Sequence, residues 1–128
     1  MSDPSDDIRG AVRRANDAWN SAFNRGDAAA VATLYTDNAT VLPPTHAVVK
    51  GTDAIRDFWQ GLITAGFKEH DIEMIDAEAD GGLAFASGKW SANGPGDAGK
   101  VQRFEGTVVT ILRRQGDASW KACLHTWN

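Results

Sequence analysis

One cysteine, one tyrosine, no long apolar run and no excess of basic residues set the first limits on this chain of 128 residues. A lone Cys123 excludes an internal disulfide and fits a reducing compartment. No stretch approaches the ~18 apolar residues that a membrane-spanning helix needs. The N-terminal MSDPSDDIRG is acidic and polar, the opposite of a basic-then-apolar secretory leader, so a cytoplasmic location is expected. Acidic residues outnumber basic ones by 17 to 13, a net charge of −4 that argues against nucleic acid as a partner. The basic pairs Arg13-Arg14 and Arg113-Arg114 read as a solvated helix face and a strand end. The three histidines, His46, His70 and His125, are far apart and none has a His-x-x-x-His spacing, so no metal site is expected. The glycines of Asn93–Gly99 are followed by no helix, which removes a phosphate loop. No cofactor motif is present.

What is there suffices for one domain spanning residues 1–128, with 1–7 as a flexible tail. At this length about two-thirds of the unfolded surface can be buried, so neither metal nor disulfide is required for folding. Five tryptophans and an apolar share of 42% supply the core. Ile8, Val12, Ala15, Trp19 and Phe23 recur at helical spacing and predict an amphipathic first helix, with Asp6 or Asp7 as its cap. Gly26 ends it in a left-handed conformation, and Asp27 caps a second helix carrying Val31, Leu34 and Tyr35. Asp37-Asn38 predicts a turn, Ala39–Leu42 a short strand, and Pro43-Pro44 its end. Thr52 is the expected cap of a third helix, with Ile55, Phe58, Trp59 and Leu62 on one face.

After Gly66 the texture turns to strands: Phe67–Ala79, Leu83–Ala92, Lys100–Arg114 and Ser119–Trp127. Short Gly- and Asp-containing connections make these an antiparallel meander. Helices first and strands afterwards is the pattern of an α+β domain. The third of these strands is apolar on both sides, with Val101, Val109 and Ile111 opposed to Phe104, Val108 and Leu112. One side is expected against the helices and the other against a second copy, making a homodimer.

The order Gly26-Asp27, Leu34-Tyr35, Asp37, Ala39-Thr40-Val41, Pro44, Gly51, Ile55, Phe58, Gly88, Trp90, Trp120 and Trp127-Asn128 resembles the nuclear transport factor 2-like superfamily. Within it, the chain is most similar to the SnoaL-like and ketosteroid-isomerase-like branch, over nearly its whole length. The resemblance implies a cone-shaped, curved antiparallel sheet wrapped around three N-terminal helices, a cystatin-like α+β barrel with a pocket inside. It also implies pairing of two copies through the outer sheet face. In ketosteroid isomerase a carboxylate moves the proton, while a tyrosine and a protonated aspartic acid form the oxyanion hole. Carried onto this sequence, Trp19 takes the tyrosine position, Pro43 that of the base, and Thr107 falls near the second acid. Neither an indole nor a proline ring can do that proton chemistry, so true ketosteroid isomerase activity is not expected.

What remains is an aromatic site for a small, largely apolar molecule, to which Trp19, Tyr35, Trp59 and Trp127 are assigned. His125 is the acid–base candidate, since its ordinary pKa lies near neutrality. A histidine at the dimer face or a satisfied core position is the plainer alternative. Cys123 and His125 are placed on one strand face with Trp127. If Thr107 faces inward, Arg103 and Glu105 follow by strand parity and add polar groups to the pocket. Mutual charge pairing of Arg103 and Glu105 is the other reading. His46 reads as an exposed loop residue, and His70, beside Asp71, as a solvated strand end. The chain is then a binding protein or an enzyme of isomerase, cyclase, hydrolase or dehydratase type. A non-catalytic dimerisation or partner-binding module of the same fold is the alternative.

Overall fold

A computed structural model describes residues 4–128. Three helices, α1 (Pro4–Asn24), α2 (Ala28–Ala32) and α3 (Thr52–Ala65), are interleaved with strands β1 (Tyr35–Leu42) and β2 (Val49–Lys50). Four long strands follow: β3 (Lys68–Asp80), β4 (Leu83–Pro95), β5 (Val101–Arg114) and β6 (Trp120–Trp127). A 3-10 turn at Asp97–Gly99 joins β4 to β5. The six strands form one sheet in the order β2-β1-β6-β5-β4-β3. The expected meander is present from β3 to β6, and the fold is α+β as the element order predicts. The sheet is nevertheless mixed, because β1 lies parallel to β6. Register shifts interrupt the β1–β6, β3–β4 and β5–β6 ladders. Such bulges bend strands, and they curve this sheet around the helices.

Several local expectations need correction. Helix α1 begins at Pro4, so most of the expected tail is helical; Met1–Asp3 lie outside the described residues. The side chain of Asp6, an expected cap, is likewise outside them, and Asp7 lies within the helix. Asp27 does cap α2, its Oδ1 accepting from the Ala30 N–H at 3.0 Å. The helix stops at Ala32, so Leu34 lies beyond it and Tyr35 opens β1. Asp37-Asn38 therefore sits inside β1, where the ladder slips between Tyr35 and Thr40, instead of forming a turn. Gly51, at φ 89°, is the residue preceding α3, and Thr52 is its first helical position without a side-chain cap.

The helical stripe of α1 holds: Ile8, Val12, Trp19 and Phe23 are all buried. At the closed end of the cone Ile8 and Val12 pack on Ala77, Ala84, Ala86 and Leu112. At the other end Trp19 and Phe23 join Val31, Tyr35, Val41, Ile55 and Trp59. Full burial of Val31, Val41 and Ile55 contributes about 1.5–3 kcal/mol each. Strand β5 is two-sided as its pattern predicts. Val108 and Leu112 face the helices, whereas Val101 and Val109 remain exposed on the outer face.

Candidate functional site

Three side chains far apart in sequence meet at the heart of the cone. Trp19 Nε1 donates to the Tyr35 hydroxyl at 3.0 Å, and that hydroxyl lies 2.7 Å from His125 Nδ1. All three residues are buried, and His125 is the buried polar residue of the core at 6% exposure. An indole N–H can only donate, so it occupies a lone pair of the phenol. No other acceptor stands within reach of the phenol proton among the described residues, which directs it to His125 Nδ1. The imidazole proton then sits on Nε2. Trp59 Nε1 is buried without a hydrogen-bond partner, although the phenol still feels its dipole. Burial pushes the Tyr35 pKa upward, outweighing the two indole dipoles that lower it. His125 is pushed down to about 3, first by burial and second by the nearby His70, so it is neutral at physiological pH.

His70 is the residue that sequence reasoning misplaced. Instead of lying at a solvated strand end, it is half-buried on the inner side of β3. Two asparagines one helical turn apart on α1 hold it there. Asn24 accepts from the His70 backbone N–H at 2.7 Å and donates to its carbonyl at 2.9 Å. Asn20 Oδ1 lies 2.8 Å from His70 Nδ1. An amide oxygen only accepts, so Nδ1 carries the proton and Nε2 the lone pair. The ring packs 4.5 Å from Trp19 and stacks on Trp90 at 6.2 Å. Burial lowers its pKa to about 4. The signal was present in the sequence: His70, Ile72 and Met74 alternate with Glu69, Asp71 and Glu73, a period of two that puts His70 on the apolar face.

Both histidines line a cavity of about 490 Å³ that opens at the wide end of the cone. Phe58, Trp59, Phe67, Trp90, Phe104 and Trp127 give it aromatic walls, and Pro43 and Pro44 lie at its edge. The rings brace one another, with Trp59 edge-on to Trp19 at 4.8 Å and stacked on Trp127 at 5.2 Å. Gly94 lets the Phe67 ring lie against the backbone of β4, since a Cβ there would come within 2.5 Å of it. A smaller void of about 50 Å³ lies deeper, lined by Trp19, Tyr35 and again His125. The assigned aromatics are thus divided: Trp59 and Trp127 line the large cavity, Trp19 and Tyr35 the inner one.

The polar residues assigned from β5 are not brought together with them. Phe104 and Val108 point inward, which leaves Arg103, Glu105 and Thr107 exposed on the opposite parity. Arg103 and Glu105 pair with each other at 3.6 Å, and of the three residues Glu105 alone reaches the cavity lining. Thr107 instead anchors Asn128, whose side chain accepts from its N–H at 3.1 Å and donates to its hydroxyl at 2.9 Å. Cys123 is separated from His125 for a different reason. The β5–β6 register steps from Ile111↔Leu124 to Leu112↔Ala122, so Cys123 is the extra residue of a bulge. Ala122 and His125 both face inward across it, while Cys123 lines a polar groove with Asp37 and Lys121. His46 is exposed in its loop. Among the described residues no group of three or more His, Cys, Asp or Glu could hold a metal ion, and no helix is long and apolar enough to cross a membrane.

Comparison with known proteins agrees with this architecture. The SnoaL-like domain profile matches residues 12–121, so the chain belongs to the SnoaL-like family. A ketosteroid isomerase-like protein from Erwinia carotovora atroseptica SCRI1043 superposes with a TM-score of 0.80 at 20% identity, covering 92% of each chain. A nuclear transport factor 2-like superfamily protein from Salmonella enterica serovar Typhimurium LT2 gives 0.81 at 12% identity, over 96% of this chain and 91% of that one. A third, an NTF2-like protein with a cystatin-like fold from Novosphingobium aromaticivorans, gives 0.74 at 18% identity, over 93% and 79%. At these identities the likeness is one of fold. No curated protein matches the sequence.

Proposed function

We propose that this SnoaL-like protein binds a small, largely apolar molecule in its cone and handles a proton of that molecule through His125. The observation that carries the reading is the cavity of about 490 Å³ with His125 in its wall. Its size and aromatic lining suit a small organic ligand, and a buried neutral imidazole is one of the few groups there able to exchange a proton. The carboxylate that ketosteroid isomerase uses has Pro43 in its place, so the chemistry belongs to histidine. Neutral aromatic metabolites screened by thermal stabilisation test the binding half, because selective binding to the folded state raises its stability. A hit should quench tryptophan fluorescence and lose affinity in Trp59→Ala. His125→Ala that leaves both affinity and turnover of the hit unchanged would remove His125 from the site.

The same proposal includes a homodimer formed through the outer sheet face. Its support is a patch of exposed apolar residues there: Ile75, Leu83, Phe85 and Val109 are each 41–53% exposed. In register, Phe85 stands beside Ile111, which stands beside Leu124, so the patch runs across three strands. Patches of this kind mark association sites, and they also favour the rival reading of a non-catalytic dimerisation module. Sedimentation at micromolar concentration separates the cases: a monomer-sized species refutes the dimer, whichever way the ligand screen turns out.

A further inference from the structure

We propose that His70 is the second proton-handling group of this cavity, a proton acceptor that works opposite His125 as donor. The inference rests on the ligand reading above and adds the division of labour within it. Both imidazoles line the same cavity, and the Trp19 indole touches both, with ring centroids 4.5 Å from His70 and 6.2 Å from His125. Each ring has its Nδ1 committed to the protein. The partners are opposite in kind: an amide oxygen that accepts at His70, and a phenol that donates at His125. Nε2 of His70 therefore carries a lone pair and Nε2 of His125 a proton. Neither Nε2 has a hydrogen-bond partner among the described residues. Two imidazoles in the same tautomer would offer two donors or two acceptors, whereas these offer one of each.

Such a pair fits an uncharged molecule presenting an acidic proton next to an oxygen acceptor. The C–H or O–H bond breaks toward His70 Nε2, where a new N–H bond forms. The electron pair left behind moves onto the substrate oxygen, which accepts a hydrogen bond from His125 Nε2–H. The His70 imidazolium then returns the proton to the same or another atom, so the step is a redistribution that needs no co-reactant. Both rings are held neutral at pH 7 by burial, which keeps the acceptor free and makes the donor an uncharged imidazole. Glu105 is the other titratable side chain in the lining, and it pairs with Arg103. Asn20 and Tyr35 are positioning residues, since they act through the tautomers they impose.

Two measurements test the pair. In protein labelled with 15N-histidine, long-range proton–nitrogen spectra at pH 7 should place the proton on Nδ1 of His70 and on Nε2 of His125. The same tautomer in both rings, or an imidazolium in either, overturns the proposal without any ligand being involved. The second uses 2-tetralone, a neutral bicyclic ketone with acidic C–H groups, as the probe. Its binding is read by tryptophan fluorescence and its C–H exchange in D2O by proton NMR. Wild type should accelerate exchange, and His70→Gln should lower that acceleration by about 10²-fold, at the lower end of what general acid–base catalysis supplies, with affinity nearly unchanged. Asn20→Ala should shift the pH profile of exchange, which a merely structural contact would not do. Binding with exchange that His70→Gln leaves untouched overturns the role of His70 and spares the cavity reading. Absence of binding counts against the cavity reading, and the tautomers then decide the pair by themselves.

Discussion

The closed end of the cone and its mouth are walled by the same long strands and the same first helix, yet they are filled in opposite ways. At the closed end Ala77, Ala84 and Ala86 let α1 lie close to the sheet, and Ile8, Val12 and Leu112 fill the space around them except for the void of about 50 Å³ that Val12, Ala86 and Leu112 help to line. At the mouth the side chains are rings. Trp59, Trp127, Phe58 and His125 touch through edges and faces at centroid distances of 4.9–5.9 Å and enclose a hollow without filling it. Small aliphatic side chains interdigitate and bring α1 close to the sheet. Rigid rings, braced by ring–ring contacts and the Trp19–Tyr35–His125 hydrogen bonds, keep a wall in place with one side unpartnered. The closed end is mostly filled, and the open end keeps a cavity of about 490 Å³.

The contrast can be broken most directly at Leu112. Leu112→Ala should cost about 2–5 kcal/mol in urea unfolding, because Leu112 is buried and its truncation loses both burial and contacts. Phe104→Ala deletes a larger side chain, but one that is half-buried and already faces the cavity, so its cost should be smaller. Equal costs would mean that the mouth is packed as tightly as the closed end.

Between pH 7 and pH 5 acid should act on the mouth through its two histidines. Unfolded histidine titrates near 6.5, whereas His125 in the fold titrates near 3, so between those values the unfolded chain binds more protons. Stability therefore falls as pH drops below about 6.5, by about 2 kcal/mol from His125 between pH 7 and pH 5. Half-buried His70 adds a smaller loss of the same sign. The urea midpoint followed against pH measures this, and His125→Gln should flatten the curve.

Tyr35→Phe removes the hydroxyl between the two rings and leaves Trp19 Nε1 and His125 Nδ1 unpaired in the core. A loss of about 1–3 kcal/mol is expected, the cost of stranding buried polar groups. The His125 proton should also cease to be confined to Nε2, visible in the same nitrogen spectra. The smallest effect on the fold belongs outside the cone. Phe85→Lys should change monomer stability by less than about 0.5 kcal/mol while shifting sedimentation toward monomer. A large loss of monomer stability would mean that the outer face is part of the core.

Much of the scaffold was legible because it follows from repeating patterns. The α1 stripe, the Asp27 cap and the two-sided β5 all rest on spacing, and spacing survives without tertiary context. Parity on β5 was also legible: Phe104 and Val108 alternate with Arg103, Glu105 and Thr107, which places the polar set outside. Aligning on a relative's acid at Thr107 overrode that local signal. The bulge at Cys123 was not legible, because an extra residue is recorded only in the pairing of β6 with its neighbour. It changes which residues share a face with His125.

The sequence by itself determined the class of fold and the apolar stripes that bury α1 and α3, since both follow from residue type and period. Its resemblance to the ketosteroid-isomerase-like branch implied that Pro43 stands where the isomerase carries its base. Only the tertiary structure decided that His70 and His125 share a cavity, that Tyr35 lies between Trp19 and His125, and that the bulge in β6 turns Cys123 away from His125. Those facts depend on hydrogen bonds between residues 16 to 90 positions apart and on the places where the ladders slip. Local patterns carry no record of either, because both are fixed only when the sheet closes around the helix.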